Sequence, residues 1–430
     1  MGSTVRALRA ANIWALLIAA VIVLSAVVWQ QRHSNESSDG SASPSATATS
    51  ATPDPSERSG VETTARRLER AWNRRDRDAF VAAAGNTPAA QSWSSQTYDS
   101  LNELGVKSFN LTIVEDEVSS FSVVPDGTND VSAEVTWTPG ASTGLPRRRT
   151  DPVRVDLRVR ANEQGFAIES VHPTEDPMPL WLEGALNVIR RDNWTLVRIN
   201  GGAPQPKFDA MLMRAMADVR DVYGKPKNDL FVVMPSELPQ SVDITGTSEA
   251  RLGQLAAITT SLDESGSSRA PVAVVLNPGV FTPMNQRAAQ IVLTHEATHE
   301  STGATTAVAP LWVAEGYADY VALSRDQLLP TRSASQVLAR VRKQGARRQL
   351  PTDDAFAASG PRQGAAYEGS WMLFRMLGET YDDETITKFY RQVLRGRTVD
   401  VAANDAFGRG IDDLTRDWRE YLRDWAATPR

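Results

Sequence analysis

The sequence predicts an α+β chain built in series: a single transmembrane helix, a small α+β unit, a mixed α/β lobe and a helical C-terminal lobe. Three observations predict it. Apolar residues run without a charge from Ile13 to Trp29. Between Phe109 and Val159 apolar and polar residues alternate at strand period, whereas beyond Leu311 apolar residues recur at helical spacings of three and four. From Phe208 to Thr302, short β-branched runs are interleaved with long helical ones. A chain of 430 residues that is 41% hydrophobic suffices for about two to three cored domains.

Taking the elements in order, Arg6 and Arg9 precede an apolar run long enough to span a bilayer. Positive charge on that side predicts a cytoplasmic tail over residues 1–11, an anchor over 12–30, and extracytoplasmic domains after it, hence a single-pass protein of the cell membrane. A cleaved signal peptide is the alternative, but no small-x-small pair ends the run; Ala46-Thr47-Ala48 lies well beyond it. Residues 31–58 are rich in Ser, Thr, Ala and Pro and read as a disordered linker. In the unit over 59–178, Val61, Ala65, Leu68 and Trp72 fall on one helix face, and strands follow at Phe109 to Val114, Val131 to Trp137 and Val153 to Val159. This helix followed by a curved antiparallel sheet faintly resembles the nuclear transport factor 2-like cone, which implies a binding or spacing module. It carries no catalytic constellation, and His172, without a partner at ligand spacing, reads as structural or solvated.

Residues 179–430 open with a helix over Phe208 to Tyr223 and a strand over Leu230 to Met234. A second strand lies in Pro271 to Gly279, closed by a Pro-Gly turn. Thr282-Pro283 then starts a helix that runs from Met284 to a stop at Gly303. That helix carries His295-Glu296-Ala297-Thr298-His299. Histidines four apart project from one helix face, so two neutral imidazoles can grip one zinc ion, while Glu296 is placed to take a proton from the attacking water. Pro310 opens the next helix, on which Glu315 and Asp319 share a face. Catalytic zinc takes three protein ligands, and His295, His299 and Glu315 make such a set. Asp319 is placed to accept the free N–H of a ligating imidazole. The bland reading, a solvated acidic face, is disfavoured by the flanking Trp312 and Val313.

These residues carry a resemblance. His295-Glu296-x-x-His299 followed by Trp312-x-x-Glu315-Gly316-x-Ala318-Asp319-Tyr320 resembles the gluzincin metallopeptidases, above all the thermolysin-like, peptidase MA-like domains. The resemblance covers roughly residues 180 to 430 and implies a mixed lobe and a helical lobe with zinc in the cleft between them. It implies zinc on His295, His299 and Glu315, Glu296 as general base, and Asp319 as the partner of His295. The interval from His299 to Glu315 is shorter than in thermolysin, and the Gly-x-Met-Glu-Asn element of the aminopeptidases is absent. No histidine follows His299, so the oxyanion donor implied is a tyrosine. Ala366-Tyr367-Glu368-Gly369-Ser370 resembles the helix that supplies it, with Tyr367 as donor or, alternatively, as a ring packed in the core. The resemblance also makes Pro271 to Gly279 a peptide-binding edge strand, although the run is apolar on both faces and fits an internal strand as well.

Composition excludes other classes. The net charge is −6 and the basic residues are scattered, so nucleic acid is not an expected partner; Arg147-Arg148-Arg149 and Arg347-Arg348 read as solvated. The chain lacks cysteine, which excludes disulfides and thiolate zinc ligation. The expected activity is zinc-dependent hydrolysis of peptide or protein substrates by a membrane-anchored enzyme. The alternative is a catalytically degenerate, peptidase-like binding or scaffold protein of the cell envelope.

Overall fold

Residues 55–429 are described by the computed structural model, apart from 115–121, 124–126, 163–164, 205, 264, 268 and 358–359. The run Ile13 to Trp29 and most of the expected linker lie outside the described residues. Among the described residues, no helix is long and apolar enough to cross a membrane. The longest, Pro361–Thr380, has 20 residues but is interrupted by Arg362, Glu368, Arg375 and Glu379. On this finding the expected placement at the cell membrane, with domains outside it, is corrected.

The N-terminal unit opens with α1 (Pro55–Asn73), which begins inside the expected linker, followed by α2 (Arg77–Ala84) and α3 (Pro88–Leu104). Val61, Ala65, Leu68 and Trp72 are buried on one face of α1, as their spacing requires. Five strands follow: β1 (Val106–Ile113), β2 (Ser122–Val123), β3 (Thr128–Pro139), β4 (Val153–Asn162) and β5 (Gly165–Pro173). They form an antiparallel sheet in the order β1-β3-β4-β5, with β2 paired to β3. Along β4, Val153, Val155, Leu157 and Val159 are buried while Arg154 is exposed, so the pleat alternation seen in sequence sets the core face. His172, on β5, is half-buried and hydrogen-bonds the Ser170 hydroxyl at 3.0 Å.

A short α4 (Leu180–Glu183) leads into a second sheet built from β6 (Leu186–Arg190) and β7 (Trp194–Ile199). The chain continues through α5 (Phe208–Tyr223), β8 (Leu230–Met234), α6 (Leu238–Thr245), α7 (Glu249–Leu252), β9 (Ala257–Ser261) and β10 (Val272–Leu276). The sheet order is β6-β7-β8-β10-β9. β7, β8 and β10 run parallel, and β9 returns antiparallel to β10. The strand read at Pro271 to Gly279 is therefore internal, and β9 is the terminal strand on its side of the sheet. The reason is chemical: Ala273, Val274, Val275 and Leu276 are apolar on both faces and completely buried, which suits a central parallel strand.

The remainder is helical: α8 (Pro278–Phe281), α9 (Gln286–Thr302), α10 (Leu311–Ala322), α11 (Pro330–Ser333), α12 (Ser335–Gln344), α13 (Asp353–Ala357), α14 (Pro361–Thr380), α15 (Asp383–Leu394), α16 (Val399–Phe407) and α17 (Ile411–Ala427). The mixed lobe followed by a helical lobe is thus observed. The start of α9 differs from expectation. Asn277 caps a short helix at Pro278 instead of a turn, and Asn285, not Thr282, caps α9 by accepting from the Ala288 N–H at 3.0 Å. Gly303 ends α9 in the left-handed region at φ 75°, where a glycine carries no Cβ penalty.

The two units meet through specific bonds. Ser100 Oγ donates to the Gly184 carbonyl at 2.7 Å and the Met178 N–H to the Asp243 carbonyl at 2.8 Å. Arg148, expected to be solvated, pairs with Asp151 and donates to Ser267 Oγ at 3.2 Å. The Asp151 N–H donates to Asp263, which itself gathers Ser261 and Ser265 and so shapes the turn after β9.

Candidate metal centre

The sheet delivers α9 to the centre of the lobe, where it packs against α5, β9, β10 and α10. Its far end is pinned: Glu300 accepts the Phe231 N–H at 2.9 Å, tying the last turn of α9 to β8. Because α9 is surrounded, all residues from Ile291 to Thr302 are buried. The two histidines therefore face protein rather than bulk water, and they face α10.

Four separations define the cluster. His295 Nε2 lies 3.0 Å from His299 Nε2 and 3.1 Å from Glu315 Oε2, and His299 Nε2 lies 3.4 Å from the same oxygen. On the other side of its ring, His295 Nδ1 meets Asp319 Oδ1 at 2.9 Å. With the Nδ1 proton donated to Asp319, the Nε2 lone pair points at His299 and Glu315. His295, His299 and Glu315 together form a group able to hold a metal ion.

The residues fit such an ion on three counts. A tetrahedral zinc with bonds of about 2.0–2.1 Å separates its ligand atoms by about 3.3 Å, close to the spacings observed. Glu315 Oε1, on the carboxylate whose Oε2 meets both imidazoles, is buried without a hydrogen-bond partner among the described residues, and a metal ion or its bound water is the kind of partner that satisfies such an atom in a closed site. The titration shifts agree. Burial by itself would lower the His295 pKa, but Asp319 and Glu315 outweigh it and raise it well above the usual value. Burial likewise opposes ionisation of Glu315, yet His299 and His295 bring it down to about 2. The first shift says that positive charge is stabilised where the ligand atoms converge, and the second that Glu315 stands there as the anion, the form that binds a cation. Asp319 remains raised by burial, with His295 pulling the other way.

Glu296, one residue along α9 from His295, is 4% exposed. Its Oε2 accepts a hydrogen bond from Thr259 Oγ1 on β9 at 2.5 Å. Tyr367 approaches from α14. Its ring packs edge-on against Phe356 at 4.9 Å, so the core-packing alternative describes the ring. Burial first, then Glu315, Asp319 and Glu296, push the phenol well above its ordinary pKa; it is a protonated donor at neutral pH. The other tyrosines of α10 look elsewhere: Tyr317 bonds Thr387 and stacks on Tyr390, and Tyr320 donates to Asp383.

Gly316, next to Glu315, is what lets α14 approach. A Cβ there would lie 2.8 Å from Phe374 Cδ2 and 2.9 Å from the Ser370 carbonyl, closer than packed atoms allow. Sequence reasoning placed His295, Glu296, His299, Glu315, Asp319 and Tyr367 in one site; the structure joins His295, His299, Glu315 and Asp319 by contacts of 2.9–3.4 Å. It missed Thr259, for which the β-branched run Ile258-Thr259-Thr260 was an available strand signal.

No protein-family model matches the chain, and no curated protein matches it. Among solved structures it is similar to an M1 zinc metallopeptidase mutant from Deinococcus radiodurans bound to a Tyr-Ser-Ala substrate, with 12% identity over 70% of this chain and 91% of that one, at a TM-score of 0.33. It is also similar to a two-domain M1 zinc metallopeptidase mutant bound to L-tryptophan, with 13% identity over 75% and 71% at a TM-score of 0.32. A further M1 zinc metallopeptidase from Deinococcus radiodurans shares 13% identity over 71% and 63% at a TM-score of 0.30. At these identities and TM-scores, the chemistry of the site rests on its own geometry.

Proposed function

We propose that the chain is a zinc-dependent peptidase whose metal ligands are His295, His299 and Glu315. The observation that carries the reading is the convergence of His295 Nε2, His299 Nε2 and Glu315 Oε2 within 3.0–3.4 Å of one another, and Glu296 is the residue that follows His295 on the same helix. When bound, zinc supplies Lewis acidity that acidifies a water and polarises the scissile carbonyl. Glu296 takes the proton of the attacking water and returns it to the leaving amine. Tyr367 donates its O–H to the oxyanion that develops on the carbonyl carbon's oxygen. Asp319 holds the His295 ring in the tautomer that leaves Nε2 free. An extended peptide would align along β9, a terminal strand, whose Thr259 already touches Glu296. In this reading residues 179–430 are the peptidase unit. Residues 59–178 form a nuclear transport factor 2-like accessory unit that braces the turn after β9 through Asp151 and Arg148.

The reading is tested by zinc content and hydrolysis of an unstructured protein by the purified chain. Tyr367 has its own test. Tyr367→Phe keeps the ring against Phe356 and deletes the donor, so kcat should fall roughly ten- to a thousandfold, with zinc content, Tm and KM little changed. An unchanged kcat would remove Tyr367 from the oxyanion site, and loss of folding would make it a core residue only.

A further inference from the structure

We infer that Thr259 is a positioning residue for Glu296: its hydroxyl, held by the β9–β10 ladder, fixes the orientation of the base. The inference rests on the peptidase reading above and adds a residue outside the metal-ligand helices. Thr259 is completely buried and lies opposite Val274 in the antiparallel pairing of β9 with β10. That pairing sets its height along the sheet, and β9 packs directly on α9. Threonine is stiff at χ1 in a strand, so the hydroxyl is aimed before substrate arrives.

The hydroxyl has one proton and two acceptors in range. Glu296 Oε2 is at 2.5 Å, and the Glu296 backbone carbonyl is at 3.2 Å. The shorter contact lies at the close end of the range for a hydroxyl donating to a carboxylate, so the proton goes to Oε2 and the carbonyl contact is secondary. Glutamate is a flexible side chain that has rotamer freedom to lose on ordering. Engaging Oε2 from β9 fixes the plane of the group and leaves Oε1 as the oxygen that exchanges protons with water and leaving amine. A base displaced by about an ångström can cost on the order of a hundredfold in rate.

The test compares full-length zinc-loaded variants. Thr259→Val preserves shape and removes the hydroxyl; kcat should fall about ten- to a hundredfold while KM, zinc content and Tm change little. Thr259→Ser should restore most of the loss. In a Glu296→Gln background, Thr259→Val should add almost nothing, because the hydroxyl acts through the carboxylate. Wild-type kinetics in Thr259→Val would overturn the inference, as would an undiminished loss in the Glu296→Gln background. Slow exchange of the Thr259 hydroxyl proton, followed by NMR in metal-free protein, reads the bond without turnover, and rapid exchange would also overturn it. Zinc-loaded wild type that hydrolyses nothing while this proton stays protected would instead sink the peptidase reading and reduce the bond to a structural one.

Discussion

Glu296→Gln should lower turnover by roughly two to four orders of magnitude while the folded protein keeps its zinc. The argument is one of charge and geometry. Glutamine preserves the shape of the side chain and can still meet Thr259 Oγ1, which now lies 2.5 Å from Oε2. What disappears is the capacity to accept a proton from water and deliver it to the leaving amine, and general acid–base catalysis contributes about 10²–10⁴-fold. The three ligand atoms come from other residues, so the ion should stay bound, with an affinity that holds or falls slightly as one buried negative charge is removed. A steady-state assay with zinc analysis on the same preparation checks both halves. A kcat within threefold of wild type would mean that proton transfer runs through a different group.

The other large effect falls on the metal itself. His299→Ala, His295→Ala or Glu315→Ala should each strip most of the zinc, since two protein ligands hold the ion too weakly against water. These substitutions should also lower Tm more than Glu296→Gln does. Zinc bound at about a thousand times its dissociation constant contributes about 4 kcal/mol to the folded state, and the site sits among buried residues of α9 and α10. Asp319→Ala should keep a ligand set and lose only part of the affinity, as expected when the group that orients a ligating imidazole is removed. Full zinc occupancy in Glu315→Ala would take that residue out of the ligand set.

The legible part of this site is the local part. His295 and His299 are one helical turn apart, and so are Glu315 and Asp319, so each pair is carried by helix geometry alone. The helix over Phe208–Tyr223 and the strand over Leu230–Met234 were equally readable, because their apolar period is unbroken. What required the fold is long-range pairing. Whether β10 is internal or terminal depends on β9, a five-residue strand containing Thr259, Thr260 and Ser261 that adds little hydrophobic signal. The helix that carries Tyr367 packs on the helix that carries Glu315 through the missing side chain of Gly316, a contact between positions far apart in sequence. α3 was unread because its Ser, Thr and Gln content blurs the helical period, and α2 because its eight residues are too few to show one, although Asp76 and Thr87 cap them in the ordinary way. The start of α9 was misplaced by three residues for a related reason: two polar cap candidates, Thr282 and Asn285, stand within one turn of each other.

Chelation followed by titration with zinc tests the central claim most directly. The full-length protein, stripped of metal, should show no hydrolysis of an unstructured protein substrate, and activity should return linearly with added zinc until one ion per chain is bound. Glu296→Gln protein should take up the same single ion without recovering activity. Undiminished hydrolysis by the stripped protein, or one bound zinc per chain with no hydrolysis by wild type, would contradict the account.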